Sequence, residues 1–305
     1  PWCAPFCQSD LINHSACHGR LPFCRTICTG PTFGANRYRL KLHGDEGRVG
    51  DINGAGARIA RDVADAADRP VVVAGSMGPT GEIFQPVGEL SFEDGVTAFS
   101  EQAEALAEGG VDVLWVETLS AAEEVSAAVE GAAQTGLPVV ATMTFDTAGR
   151  TMMGLTPEDA VQHSHGLAKR LVAFGANCGV GPGTLVDTVL GLKRGAPVSE
   201  VIVAKGNCGI PEYRDGEIVY SGSHEIMADY ARMARDAGAR IIGGCCGTTP
   251  GHLRAMADAL KGHEPGAPPD RPAIEQALGP VSASNPAPGG NGENRGRRGS
   301  RRRKG

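Results

Sequence analysis

No run of about 18 apolar residues occurs in this 305-residue chain, so it offers no candidate for a membrane-spanning helix. Its opening residues show no charged-then-apolar export pattern, and a cytoplasmic location is the expectation. There is no Cys-x-x-Cys pair, which excludes the standard structural zinc modules. NGAGAR (53–58) falls short of a full G-x-G-x-x-G and follows no strand pattern, so dinucleotide binding is not indicated. GSMGPTGE (75–82) lacks the Lys-Ser/Thr of a phosphate loop. Aromatic residues make up 5% of the chain against 44 glycines, a balance that suits helices and parallel strands joined by tight turns. The last eleven residues, RGRRGSRRRKG, are all Arg, Lys, Gly or Ser. The rest is therefore more acidic than the total charge of −6 suggests, and no nucleic-acid partner is expected.

What is present is regular alternation. Short β-branched runs end at residues 77, 118, 145, 178, 208 and 246, and alanine-rich amphipathic stretches separate them. Ser91 is a candidate N-cap for a helix ending at Gly109-Gly110, and Thr156-Pro157 and Thr249-Pro250 open two more. Repeated strand–helix units imply a parallel sheet, either open and doubly wound or closed as a (β/α)8 TIM barrel. Glu117, Cys178, Asn207 and Cys245 all sit at or just past the C-terminal ends of strands. A barrel builds its active site on that face, which favours closure. Six strands are plain, LPFCRTIC (21–28) supplies a seventh, and the first units look incomplete. The expected division is an atypical N-terminal segment at 1–31, a barrel at 32–262, and a disordered Pro/Gly-rich, then basic, tail at 263–305.

Four of the nine cysteines lie beyond residue 28: Cys178, Cys208, Cys245 and Cys246. Cys178 ends one strand, and GGCCGTTPGHL (243–253) follows another two units later. On a barrel these ends share a rim, so three thiolates from two loops can converge on one zinc with a fourth position open. Buried core thiols are the competing reading. The N-terminal group Cys3, Cys7, Cys17, His18, Cys24 and Cys28 matches no standard zinc spacing.

GANCGVGP (175–182) and GGCCGTTPGHL resemble the two cysteine motifs of the homocysteine S-methyltransferases, a family that includes betaine–homocysteine methyltransferase and the homocysteine domain of cobalamin-dependent methionine synthase. TFGANRYRL, GSMGPTGE, VDVLWVETL, TFDTAGRTMMG and KGNCGIPEY extend the resemblance from about Thr32 to Leu260. It implies a (β/α)8 barrel, Zn²⁺ on Cys178, Cys245 and Cys246, and methyl transfer to the homocysteine sulfur. Zinc would hold that sulfur as a nucleophilic thiolate at neutral pH. By the same resemblance Glu117 would bind the amino group of homocysteine. Asn177 and Asn207 would donate hydrogen bonds near the substrate or satisfy loop backbone, and Cys208 would be a structural thiol. The family's first strand, with its acidic residue and glycines, has no counterpart in residues 1–30. An inactive relative altered there is one alternative. The expected partners are homocysteine and a small methyl donor, with betaine first and S-methylmethionine or a separate methylcorrinoid protein as alternatives. The sequence leaves the oligomeric state open. Animal betaine enzymes carry tyrosines where this chain has Gly34 and Thr118; Trp115, Tyr38, Phe84 and Tyr213 are the candidates to replace them around a quaternary ammonium.

Overall fold

The computed structural model describes residues 10–13, 25–167, 171–214 and 216–281. Its strands are β1 (Asp10–Asn13), β2 (Arg25–Thr29), β3 (Val71–Met77), β4 (Val113–Leu119), β5 (Val139–Met143), β6 (Ala173–Cys178), β7 (Ile202–Gly206), β8 (Pro211–Arg214), β9 (Glu217–Tyr220) and β10 (Ala239–Gly244). Its helices are α1 (Arg37–Lys41), α2 (Val49–Asp65), α3 (Phe92–Glu108), α4 (Ala122–Ala133), α5 (Pro157–His165), α6 (Pro182–Gly195), α7 (His224–Asp236), α8 (Pro250–Leu260) and α9 (Arg271–Leu278).

Seven strands pair in parallel in the order β2, β3, β4, β5, β6, β7, β10. The eighth, β1, closes the barrel between β10 and β2 and is antiparallel to both. The expected TIM-type barrel is therefore present with its first unit altered. Parallel neighbours need a crossover, and helices between strands supply it. β8 and β9 form a separate hairpin after β7. No helix among the described residues is long and apolar enough to cross a membrane.

Helix boundaries follow local chemistry. The Ser91 side chain accepts from Asp94 N and so caps α3, which ends at Gly109. Thr156 and Asp159 form a reciprocal capping box ahead of α5, with Pro157 in its first turn. NGAGAR lies inside α2, not in a nucleotide loop. There Gly56 serves close approach: a Cβ on it would stand 2.5 Å from Thr32 Cγ2.

Two corrections to the expected boundaries emerge. β2 places a barrel strand inside the segment set apart as 1–31. The stretch from 263, expected to be disordered, contains α9. Asp270 caps that helix, and Ile274 and Leu278, one turn apart, bury their side chains where α9 meets α6 and α7. The basic end at 295–305 lies outside the described residues, as do Cys3, Cys7, Cys17, His18 and Cys24.

Inside the barrel, alternate residues of each strand face the axis. Ile27, Trp115, Val140, Val203 and Ile241 pack into an apolar floor. Two residues further along the strands the inward positions turn polar and stay buried: Ser76, Glu117, Thr142, Asn177 and Lys205. A stack of side-chain layers is the ordinary filling of such a barrel, and its C-terminal layer is where chemistry sits. The outward faces pack against the helices; Phe99 and Leu106 of α3 are fully buried there, each contributing about 1.5–3 kcal/mol.

Candidate metal centre

β7 lies between β6 and β10, so the loops that follow β6 and β10 flank its end. Cys178 closes β6 with a positive φ of 62°, which turns the chain sharply at the rim. Cys245 and Cys246 follow β10 in a turn closed by Thr248 N donating to Cys245 O. That turn is tied to β7: Cys245 N donates to Gly206 O at 2.7 Å and Cys208 N to Cys246 O at 2.9 Å. Gly247 completes it at φ 75° directly beneath Tyr220, where a Cβ would lie 2.3 Å from the ring.

This geometry brings the three thiols together. Their sulfurs all lie within 4.8 Å of one another, with Cys245 and Cys246 4.0 Å apart. Tetrahedral zinc at about 2.3 Å from each thiolate requires sulfurs about 3.8 Å apart, so the spacing fits. Soft thiolate donors suit zinc and exclude calcium or magnesium as the natural occupant. Proton sharing tells the same story. Hydrogen bonds from Cys178, then Cys245 and Tyr220, hold Cys246 as a thiolate, its pKa lowered to about 2. Hydrogen bonding to Cys245 and Cys246, with burial, pushes Cys178 far up. Cys178 pulls Cys245 down, but Cys246 and burial outweigh it and raise Cys245. Three thiols so close cannot all ionise unaided, and a divalent cation is what would let them. The cluster can hold a metal ion.

The two asparagines brace this arrangement. Asn207 Nδ2 donates to Gly179 O at 2.7 Å and approaches Cys178 Sγ at 3.7 Å, while its Oδ1 accepts from Cys246 N at 3.1 Å. It therefore ties one cysteine loop to the other. Asn177 Oδ1 accepts from Thr118 N at 2.9 Å and Thr142 Oγ1 at 2.8 Å, and its Nδ2 donates to Thr118 Oγ1 at 2.7 Å. Both were expected either to donate hydrogen bonds near the substrate or to satisfy loop backbone; both are buried, with their amides engaged by protein groups. Cys208 stands apart from the cluster, buried, its Sγ donating to Gly222 O at 3.2 Å.

A cavity of about 530 Å³ opens over the cluster, lined by Cys178, Cys245 and Cys246 and also by Ser76, Glu117 and Lys205. Glu117 accepts from Ser76 Oγ on one oxygen and from Lys205 Nζ, at 2.7 Å, on the other. The Lys205 ammonium sits 5.2 Å from the centre of the Trp115 ring. Burial alone would lower the Lys205 pKa, but Glu117 and the nearby thiols outweigh it and hold the group charged. Among the aromatic candidates for a donor site, Trp115 lies in the apolar floor, Phe84 is buried, Tyr38 packs against the outer core and Tyr213 is exposed on β8. None of the four lines the cavity; Phe33 does.

Lys205, Ser76 and Tyr220 were not singled out in the sequence. Lys205 carried a readable signal: it is the one charged residue in the run VIVAKG, at the same strand-end position as Glu117. Tyr220 carried none, because it reaches Cys246 only through the hairpin.

The homocysteine S-methyltransferase family model matches residues 25–260. Methionine synthase of Mycobacterium tuberculosis (strain ATCC 25618 / H37Rv) is 31% identical over 239 residues, which is 75% of this chain and 20% of that protein. The chain thus spans about a fifth of the length of that relative. Among solved structures, the metallated form of the homocysteine methyltransferase MmuM from Escherichia coli superposes with a TM-score of 0.61 at 25% identity, covering 76% of this chain and 78% of that one. Its oxidised form gives 0.62 at 26% identity over the same shares. A match that takes in seven barrel strands, both cysteine loops and Glu117 leaves one assignment: the chain belongs to the homocysteine S-methyltransferase family.

Proposed function

We propose that this chain transfers a methyl group to the sulfur of L-homocysteine, forming methionine, with zinc held by Cys178, Cys245 and Cys246. The observation that carries this is the convergence of three thiols on a cavity that a buried carboxylate, Glu117, also lines. Bound zinc would supply the positive charge that keeps a substrate thiol deprotonated yet nucleophilic. The protein's own residues do the rest. Glu117 offers a carboxylate to the substrate ammonium, Ser76 orients that carboxylate, and Asn207 fixes the spacing between the cysteine loops. The sulfur then attacks the methyl carbon in line with a leaving group that keeps the electron pair of the broken bond, and the thiol proton leaves to solvent.

For the donor we favour S-methylmethionine or a separate methylcorrinoid protein over betaine. A quaternary ammonium is held by aromatic faces, and Phe33 is the aromatic residue that lines the cavity. The similarity to a homocysteine methyltransferase and to a methionine synthase supports homocysteine as the methyl acceptor. The test is metal analysis together with methionine formation, each donor offered in turn. About one zinc per chain and turnover with S-methylmethionine or the methylcorrinoid protein are expected. Zinc without turnover from any donor would identify a non-catalytic relative. Turnover with betaine alone would reverse the donor assignment.

A further inference from the structure

Lys205 is the buried charge that the reaction just described leaves without a task. It faces the barrel axis two residues beyond Val203 of the apolar floor, and its side chain is 4% exposed. An ammonium carries three N–H donors, and burying one is costly unless those donors find acceptors. Among the described residues one hydrogen-bond acceptor serves it, Glu117, with the Trp115 ring below. The residue also lines the cavity beside Ser76 and Cys245. Glu117 is in the converse position. Its oxygens each hold one donor, and a carboxylate has lone pairs for two more. The cavity that the thiols line therefore also presents a cation and an anion 2.7 Å apart, each with unused hydrogen-bonding capacity. That pair is the charge complement of an α-amino acid, whose ammonium and carboxylate are separated by one carbon.

We propose that Lys205 is a specificity-determining residue: its ammonium receives the α-carboxylate of the thiol substrate while Glu117 takes the α-ammonium. The inference rests on the methyltransferase reading and adds to it the recognition of the carboxylate. A zwitterion bound this way meets an opposite charge at each end, and the buried layer stays neutral. An amine or an acid alone would strand one member of the pair. A substrate held at both ends keeps its thiol within the cavity that the three cysteines line.

The test is calorimetric binding to the zinc-loaded full chain of three thiols: L-homocysteine, 3-aminopropane-1-thiol, which lacks the carboxylate, and 4-mercaptobutanoate, which lacks the ammonium. The native protein is expected to prefer homocysteine over the aminothiol by roughly 10- to 100-fold, the worth of a charged hydrogen bond in a buried site. In Lys205→Met that preference collapses toward parity while the preference over 4-mercaptobutanoate persists, and Lys205→Arg restores part of what was lost. Because Lys205→Met leaves Glu117 without its counter-ion, the double variant Glu117→Gln/Lys205→Met is measured beside it; both preferences should vanish there. An undiminished preference for the carboxylate in either variant overturns the proposal and leaves Lys205 as the counter-ion of Glu117. Equal binding of homocysteine and the aminothiol by the native protein does the same. Absence of binding of every thiol to the zinc-loaded native chain would instead overturn the methyltransferase reading, and this inference with it.

Discussion

Thr118 is a β-branched residue at φ 66°, a conformation such side chains rarely adopt. It persists because Asn177 holds both its backbone N–H and its hydroxyl. Asn177→Ala removes three hydrogen bonds to Thr118 and Thr142 and a longer one to Cys245 Sγ from a buried layer and should cost about 2–4 kcal/mol, read as a lower urea midpoint with an unchanged slope. Cys246→Ala should lose its zinc, whereas Cys208→Ala should keep it, because Cys208 Sγ is occupied by Gly222 O; metal analysis of the two proteins decides. Glu124 gives a pH dependence. Burial raises its pKa against the hydrogen bonds from Thr80, so the folded chain holds this proton more tightly than the unfolded one. The handicap is absent in acid, where both states are protonated, and develops as pH climbs past the ordinary glutamate value of about 4.3. Glu124→Gln should therefore raise Tm at neutral pH and leave it unchanged below about pH 4. The three cysteines were legible because each ends a strand among glycines. Lys205 was passed over because a lysine in a β-branched run reads as solvated until the barrel shows which way it faces.

Helix α9 shows how the same residues can be read two ways. PGAPPDRP looks like a structure breaker, yet Asp270 is an N-cap and Pro272 sits in the first turn, where its missing N–H costs nothing. Only packing against α6 and α7 reveals the apolar pair Ile274 and Leu278. Ile274→Ala should cost about 2–4 kcal/mol if α9 belongs to the cooperative unit, measured as a drop in unfolding free energy. A negligible change would make the helix an appendage. The β8–β9 hairpin is the second element that spacing could not place. It carries Tyr220 over Gly247 and so delivers a hydroxyl to Cys246 from outside the barrel.

At the scale of the molecule, a ligand that binds only the folded chain stabilises it by mass action. Chelation of zinc should lower Tm by roughly 5–15 °C, and added zinc should restore it. Failure of zinc to move Tm would mean that the cluster holds no tight ion. The parallel part of the barrel was visible in the sequence because each β-branched run is followed by a helix of regular period. The strand that closes it was not, since β1 runs antiparallel to both its neighbours and such pairing leaves no strand–helix signature. Among the described residues that strand meets β10 through two registered pairs, Ile12 with Ile242 and Asn13 with Ile241, where β7 and β10 share five. The hoop accordingly has one thin stave. Amide protons along β10 that point toward β1 should trade with deuterium sooner than those directed at β7, and any splitting of the ring under mild denaturant should begin on that side, next to the strand that carries the paired cysteines.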